Sequence, residues 1–436
     1  MTAIVQDRVQ DRPVGHRPEP EARVAAAPAG PDIDLAIHED LDAIEADWRR
    51  FEQHADCTVF QTFDWLAAWQ RHIGARSGVA PAIVIGRDAA GEILFLLPLA
   101  VEPGFVRRLT WLGHDLCDYN APVLSPAFPQ QVTPERFLSL WSKIRGLLQQ
   151  RPRLRHDIVD LGKMPEMVGA QPNPFLALDV ALNPSGAHLT HLAGTWDEFY
   201  AARRSSATRR RDRTKRKRLS EVGEVRFVNP EDDGEIASTL DTLMAQKRRA
   251  FVRMGVPNLF AQPGCRAFYF ELATNPATRH LVHVSRLDVG PAVAAANMGL
   301  QFRGCYYHIL ASYDDGDISR FGPGAAHLRE LMQRALERGY GTFDFTIGDE
   351  RYKLEWSDTV VKLYDHLSAA SPRGRPAVLF ASALRRVKRT IKQNPTLWHA
   401  FRRMRAALAW LRGRRGDPQE SSTTHRVENA PSVMPD

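Results

Sequence analysis

The sequence predicts an α/β (α+β) protein with two tandem domains, each a mixed, largely antiparallel sheet flanked by helices, plus a basic helical C-terminal tail. Three observations carry this prediction. Apolar runs of strand length alternate with amphipathic stretches of helical length. Short turns that contain Gly join neighbouring strand-like runs, which favours antiparallel pairing. Apolar residues make up 44% and charged residues 25% of the 436 residues, which is typical of a globular protein with a large core.

The first predicted domain covers residues 32–188. Helices are expected at 39–54 and 62–73, and Thr62 has the residue type of an N-cap for the second of them. A turn at 88–91 separates two apolar runs and predicts a hairpin. Strands are expected at 82–86, 93–100, 108–112, 122–124 and 156–161, and a further helix at 134–150.

The second predicted domain covers residues 189–370. Helices are expected at 196–219, 235–254 and 264–274, with a strand at 225–228. Three antiparallel strands follow at 281–287, 292–302 and 305–312. A loop at 313–323 then leads into a helix at 324–338, which Gly339 ends, and into a strand at 342–346.

Charge and cysteine usage exclude several classes of protein. The net charge of +7 arises in residues 371–416, which hold 13 Lys/Arg and no acid; the rest of the chain has 45 basic and 51 acidic residues. Four widely spaced cysteines give neither a disulfide scaffold nor a zinc module, so no metal is expected and a cytoplasmic location is favoured. Residues 1–31 lack the apolar core of a signal peptide and are expected to be disordered, as are residues 417–436. The longest apolar run, 93–101, is too short to span a bilayer.

The loop before the helix at 324–338 has the features of an anion site. It follows an apolar strand and contains the run Gly322–Pro323–Gly324. Unpaired amides converge at a helix N-terminus, and small residues let a phosphate approach the backbone. An ordinary turn into a helix is the alternative interpretation. The candidate donor-binding residues are Arg320, Phe321, Gly322, Gly324 and Ala325.

The stretch from Cys305 to Trp356 resembles the C-terminal signature of GNAT-superfamily acyltransferases, in the branch linked to cellulose and exopolysaccharide biosynthesis. The matching motifs are G-P-G at 322–324, F-D-F at 343–345, and the G-x-x-x-Y-K-x-x-W run from Gly348 to Trp356. That branch is related in fold to the Fem-like aminoacyl transferases. The resemblance extends over residues 35–365 and implies tandem GNAT-like domains, an acyl-CoA co-substrate, and an amine or hydroxyl acceptor.

Acyl transfer needs a base, an oxyanion donor and an anchor for the donor phosphates. Asp344 is the first candidate base, although it could instead pair with Lys353 or the backbone. Lys353, next to Tyr352, could bind phosphate, polarise the carbonyl, or form a salt bridge with Asp349 or Glu350. His308 is a second candidate base, or a core residue. The expected catalytic residues are therefore Asp344, His308, Lys353 and Tyr352.

Acceptor-binding candidates come from two stretches. The polar residues 114–120, with Asp118 and Tyr119, could border a cleft between the domains, as could Trp65; a hairpin loop is the alternative for 114–120. The run 203–218 contains ten Lys/Arg and places Arg209, Arg213 and Lys217 on one helix face. That face is expected to contact the donor, a lipid-linked substrate or RNA, although the run lacks aromatic residues that could stack on bases. A solvated helix face is the alternative.

The leading hypothesis is a cytoplasmic acyltransferase that modifies a small-molecule or lipid-linked glycan acceptor in exopolysaccharide, cellulose or envelope biosynthesis. One alternative is a Fem-like transferase that uses aminoacyl-tRNA. Another is a non-catalytic scaffold with the same fold. Basic amphipathic patterns in residues 371–416 indicate either an anionic surface at the inner face of the membrane as partner or a helical hairpin packed on the domain.

Overall fold

The computed structural model of the protein describes residues 32–255 and 257–393. The disorder predicted for residues 1–31 and 417–436, and the basic tail from residue 394 onward, lie outside this part of the chain. Across the described ranges the chain forms two mixed sheets with helices on their faces, which confirms the predicted fold class. No helix in these ranges is both long and apolar enough to cross a membrane.

Strands and helices follow one another in the predicted order. The strands are β1 Asp34–His38, β2 Ala80–Arg87, β3 Ile93–Glu102, β4 Arg108–Trp111, β5 Val123–Leu124, β6 Ile158–Pro165, β7 Met167–Val168, β8 Gln171–Pro172, β9 Val180–Leu182, β10 Ala187–His191, β11 Val225–Val228, β12 Val282–Val289, β13 Ala292–Phe302, β14 Cys305–Tyr313, β15 Thr342–Ile347, β16 Thr359–Val361 and β17 Leu363–Ala369. The helices are α1 Glu45–Glu52, α2 Phe63–Trp69, α3 Phe128–Gln131, α4 Pro134–Gln150, α5 Trp196–Arg203, α6 Ser206–Val222, α7 Asp233–Met254, α8 Cys265–Thr274, α9 Pro323–Glu337, α10 Arg351–Trp356 and α11 Gly374–Gln393.

The two sheets repeat one strand order. The first runs β1–β2–β3–β4–β6–β17–β9, with β5 paired to β3, and the second runs β11–β12–β13–β14–β15–β10–β16. In each sheet the fourth and fifth strands are parallel. The other neighbours along both orders pair antiparallel. Position by position, β4 therefore corresponds to β14 and β6 to β15, so the two halves of the chain are structural equivalents.

The first sheet takes its sixth strand from the far end of the described chain. β17 lies between β6 and β9 of the first sheet, although it follows every strand of the second sheet in sequence. β10, which lies between β15 and β16, opens the continuous run 187–361 that supplies every strand of the second sheet. A single cut at residue 188, where the predicted boundary falls inside β10, therefore does not separate the two sheets.

The two halves share a hydrophobic core. Trp65 packs edge-on against Phe268, with ring centroids 4.9 Å apart. Phe60 makes similar edge contacts with Tyr119 and Tyr307, each at 5.9 Å. Because this core draws buried residues from both sheets, the halves form one packed unit.

The single helix predicted for residues 196–219 is wrong. The chain forms α5 and α6, with extended backbone at Arg204 and Ser205 between them. The Ser205 hydroxyl accepts a hydrogen bond from the amide of Thr208 at 3.2 Å and so caps α6. Serine favours such a cap over a helix interior because its side chain competes for backbone donors.

Candidate active site

The second sheet opens into a cleft between β14 and β15. These parallel strands pair only from Cys305 to Tyr307 on one side and from Thr342 to Asp344 on the other. β14 then continues to Tyr313 and β15 to Ile347 without further pairing to each other. Asp344 therefore lies at the point where the two strands separate.

A β-bulge in β14 coincides with this point. Met298 pairs with Leu310 and Leu300 with Tyr307, so Gly299 alone faces both His308 and Ile309. A bulge leaves its extra residue out of the regular ladder and bends the strand. The bend turns the second part of β14 away from β15.

The glycine loop leads from β14 into α9. A single 3-10 turn, Asp317–Phe321, is followed by Gly322 at φ 66°, in the left-handed region that glycine tolerates. The Gly322 amide donates to the carbonyl of Ser319 at 2.9 Å, so it is not free to bind an anion. Gly324 and Ala325 lie in the first turn of α9, where amides lack intrahelical acceptors. These two amides are the ones available at the predicted anion site.

A lysine of α6 lies over this loop. The position that a Gly322 Cβ would occupy is 3.5 Å from Lys215 Nζ. Arg320 is exposed, and its guanidinium stacks 4.9 Å above the ring of Phe321. The N-terminus of α9 thus carries free amides together with two cationic side chains, which suits an anionic group such as a phosphate.

The basic face predicted for residues 203–218 is placed differently from the expectation. Arg209 is half-buried and its Nε has no hydrogen-bond partner among the described residues, whereas Arg213 and Lys217 are exposed. Lys215, which the sequence reasoning missed, is the side chain at the glycine loop. The sequence feature that could have identified Lys215 is Leu219, the buried residue of α6. Positions three and four residues before Leu219 lie on the same helix face, and Lys215 is one of them.

Asp344 is held by groups from both halves of the chain. The Tyr119 hydroxyl, from the first half, donates to both carboxyl oxygens at 2.9 Å. The Thr346 amide donates to Oδ1 at 2.7 Å. Thr346 has φ 60°, a strained conformation for a β-branched residue, and such strain concentrates at functional sites.

Burial raises the pKa of Asp344 to about 7, partly opposed by the hydrogen bonds from Thr346 and Tyr119. Asp118 is half-buried beside it, and burial raises its pKa as well, against the opposing charge of Lys163. Each carboxylate disfavours ionisation of the other. A carboxyl that titrates near neutrality can take up and release protons at physiological pH.

Lys353 is buried in α10 and makes a salt bridge with Glu350, one of the three roles expected for it. Its Nζ lies 3.1 Å from Glu350 Oε2 and donates to the Ile347 carbonyl at 2.6 Å. Its charge lowers the pKa of Asp344, although burial dominates that shift. Tyr352, on the same short helix, is partly exposed, and its ring centre is 6.5 Å from that of His308.

His308 is a buried neutral histidine. With the Asn297 amide oriented to satisfy both of its ends, its nitrogen donates to His308 Nδ1 at 2.8 Å, which leaves the ring proton on Nε2. Burial, reinforced by the charges of Lys353 and Lys247, lowers the pKa of His308 to about 3. A histidine held neutral in this way is a weak base and a good hydrogen-bond donor.

Lys247 of α7 is a second site residue that sequence reasoning missed. Its Nζ donates to the Ala311 carbonyl of β14 at 3.1 Å. Burial lowers its pKa, with Glu350 acting to raise it and Lys353 to lower it further. A lysine within the run 247–249 of a predicted helix gave no signal that distinguished it from a solvated surface charge.

Trp65 is the least exposed of the predicted acceptor-binding residues. It is 1% exposed and packs in the core shared by the two halves. Asp118 and Tyr119, in contrast, reach the cleft. Among the described residues, no cluster of His, Cys, Asp or Glu has the arrangement of a metal site.

Comparisons with known proteins give a domain similarity and a fold similarity. Residues 206–354 match the model of the acetyltransferase (GNAT) domain. The crystal structure of FemX superposes with a TM-score of 0.52 at 10% identity, covering 77% of this chain and 97% of that one. No curated protein matches the sequence.

Two further solved structures are similar at lower scores. A tandem GNAT protein from the clavulanic acid biosynthesis pathway has a TM-score of 0.45 and 11% identity, covering 78% of this chain and 99% of that one. L-PGS from Bacillus licheniformis has a TM-score of 0.42 and 12% identity, covering 74% and 95%. Residues 206–354 are thus similar to the acetyltransferase (GNAT) domain, and the chain shares the fold of FemX.

Proposed function

We propose that the protein transfers an acyl group from acyl-CoA to an amine or hydroxyl acceptor in the cleft where β14 and β15 separate. The observation that carries this proposal is Asp344, a buried carboxyl with a pKa of about 7, at the point of separation. The donor phosphates are assigned to the amides of Gly324 and Ala325 and to Lys215 and Arg320.

The spacing of these parts supports a thioester donor. Tyr313, whose ring lies against Gly324, is six positions along β14 from Tyr307, which is opposite Asp344. An extended strand of that length covers about 20 Å. A donor with phosphates at one end, a long linear arm and a thioester at the other end can therefore reach from the N-terminus of α9 to Asp344.

Asp344 acts as the base in the proposed reaction. The acceptor nitrogen or oxygen attacks the thioester carbonyl while its proton passes to the carboxylate. The C–S bond then breaks, and the departing thiolate is protonated as Asp344 returns to its ionised form. Developing charge on the carbonyl oxygen is stabilised by donors at the β14 bulge and by the neutral Nε2–H of His308. Tyr119 holds the carboxyl in place and Lys353 positions the turn before α10.

The acceptor is assigned to the space between the halves. That space contains a carboxyl, an amine and a phenol hydroxyl, from Asp118, Lys247 and Tyr352. Because these groups can carry both signs of charge, they support a polar acceptor. On the sequence resemblance, we propose a small-molecule or lipid-linked glycan precursor of exopolysaccharide, cellulose or the envelope. Acyl-CoA is a cytoplasmic metabolite, so the proposal includes a cytoplasmic location.

Calorimetric titration with acetyl-CoA and longer acyl-CoAs tests the donor site. Gly324→Glu places a carboxylate beside the free amides, and we expect it to abolish binding. Gly146→Glu is the matched control, because the space around Gly146 is open and it lies on α4 in the first half. Failure of every acyl-CoA to bind the unaltered protein would overturn the proposal.

One observation favours an aminoacyl-tRNA donor as a second candidate. The exposed basic side chains of α6 include Arg210, Arg211, Arg213 and Lys217. Such side chains can bind a phosphate backbone, with an affinity that falls steeply with salt. Salt-sensitive tRNA binding that is lost in an Arg210→Ala/Arg211→Ala variant, together with no acyl-CoA binding, would favour this donor. A protein that binds neither donor would be assigned to the scaffold class.

A further inference from the structure

The C-terminal helix α11 packs on the protein with its small residues. Its half-buried positions include Ala377, Val378, Ala381 and Ser382, which recur at helical spacing. Arg385, on the same side, donates to Asp160 Oδ1 of β6 at 2.6 Å. The helix is therefore fixed on the first half by its weakly apolar side.

The large apolar side chains of α11 point outward. Leu379 and Phe380 are each 73% exposed, and Leu384 and Val387 are 44% and 54% exposed. At 100° per residue these four positions fall within one arc of the helix. An amphipathic helix that serves only the protein core has the reverse arrangement, with its large apolar residues buried.

A second apolar side chain stands at the start of this helix. Phe105, in the turn between β3 and β4, is 87% exposed. Arg373 fixes its position, because its guanidinium donates to the Phe105 carbonyl at 3.2 Å and lies 5.3 Å over the ring. Phe105 therefore lies beside the residue that precedes the N-terminus of α11.

The charge around this surface restricts what can cover it. α11 carries six Lys/Arg and no acid in its sequence, and residues 371–416 carry 13 Lys/Arg and no acid. Folding residues 394–416 back onto α11, or placing a second copy against it, would bring cations next to cations. An anionic lipid surface offers both an apolar layer for the phenylalanines and leucines and a complementary charge.

We propose that Phe105 and the outward face of α11 dock the protein on an anionic lipid bilayer, with α11 lying in the plane of the head groups. Five apolar side chains enter the boundary between the lipid head groups and the acyl chains: Phe105, Leu379, Phe380, Leu384 and Val387. The exposed Arg375 and Arg386 contact lipid phosphates. The docking surface lies on the first half and does not depend on the reaction proposed for the second half.

Sedimentation of the full-length protein with large unilamellar vesicles tests this surface. We expect binding to phosphatidylcholine vesicles that contain about 30% phosphatidylglycerol, and little binding to pure phosphatidylcholine. A Phe380→Ser/Leu384→Ser variant should partition about tenfold more weakly, since two apolar side chains no longer enter the bilayer. Val252→Ser removes an equally exposed apolar residue from α7 and should bind as the unaltered protein does.

Two controls make the result decisive. Thermal unfolding and acetyl-CoA titration should be unchanged in Phe380→Ser/Leu384→Ser, so that loss of binding reports the surface and not the fold or the donor site. Equal vesicle binding by this variant and the unaltered protein would overturn the proposal. Equal binding to neutral and anionic vesicles would also overturn it, as would a dimer in solution that this variant dissociates.

Discussion

At the scale of single residues, the carboxyl of Asp344 depends on a hydroxyl from the opposite half of the chain. The Tyr119 hydroxyl donates to both carboxyl oxygens, and the backbone amide of the strained Thr346 donates to one of them. Tyr119 lies within the polar stretch 114–120, for which a hairpin loop was the alternative to a cleft. The first half, whose strand order matches the second, therefore contributes a side chain to the site of its counterpart.

The pH dependence of activity is expected to follow Asp344. Its carboxylate is the reactive form, so kcat/KM should rise with pH through a midpoint near its pKa of about 7. Tyr119→Phe removes a hydrogen bond that favours the carboxylate, so the midpoint should move to higher pH. Tyr364→Phe, which removes a tyrosine–carboxylate contact with Glu166 in the first sheet, is the control. A midpoint that does not move in Tyr119→Phe would contradict this assignment.

Asp344 also makes stability depend on pH in a defined direction. Its pKa is raised in the folded state above the ordinary value of 3.8, so the folded protein binds an extra proton between these values. The stabilisation is complete below about pH 4 and is lost as pH rises through about 7. Asp344→Asn should lower kcat at least about 100-fold, because the base is lost. The same substitution should remove this loss of stability with rising pH, because the asparagine side chain does not ionise. Urea unfolding at pH 5 and pH 8 measures it; an unchanged pH slope in the variant would exclude Asp344 as its origin.

At the scale of elements, α6 contributes different residues to its two sides. Lys215 faces the glycine loop, while Lys217, two positions further, is exposed. Each lysine carries one positive charge, and both lie on the same helix. Substituting each in turn therefore distinguishes a specific contact with the donor from a general electrostatic effect.

Lys215→Ala should weaken acetyl-CoA binding about tenfold, which corresponds to about 1.4 kcal/mol, because a charge-assisted phosphate contact is removed. Lys217→Ala should change the affinity much less, and its small effect should vanish at high salt. Calorimetry at two salt concentrations measures both. Equal effects of the two substitutions would indicate that Lys215 does not contact the donor.

The sequence predicted the elements whose signals are local. The strand, glycine loop, helix and strand between Cys305 and Ile347 were predicted because periodicity, Gly339 and the run 322–324 mark each boundary. The break at Ser205 was missed, since one serine inside a basic helical run is a weak stop signal. The choice of Lys215 over Arg213 was also missed, because α6 buries only one apolar side chain, Leu219, to define its inner face.

Non-local features could not be read from the sequence. β10 and β17 are short, and their partners lie more than 150 residues away, so no local pattern indicates which sheet they join. Lys247 belongs to the site because α7 packs on β14. Tyr119 was predicted to border the cleft, but its hydrogen bonds to Asp344 were not predicted. The roles assigned to Asp344, Lys353, Tyr352 and His308 stay predictions that the substitutions above test.

At the scale of the whole molecule, the shared core makes each half incomplete alone, and the first sheet also needs β17 from the far end of the described chain. A fragment of residues 1–193 lacks β17, and a fragment of residues 194–436 lacks β10. Each would expose the edges of a neighbouring strand and one side of the shared core. We expect both fragments to aggregate when expressed separately and to form a soluble, cooperatively melting complex when co-expressed. A cooperative melt from either fragment alone would contradict this expectation.

The packing between the halves limits how the protein can move. Two lobes joined by a linker can close around a ligand by rotating about a hinge, but here rotation would separate Trp65 from Phe268 and Tyr119 from Asp344. Access to Asp344 must instead come from smaller segments at the rim of the cleft, such as the turn before α10 and the glycine loop. The protein is thus expected to bind its substrates in a preformed frame, with the distance between Tyr119 and Asp344 unchanged throughout.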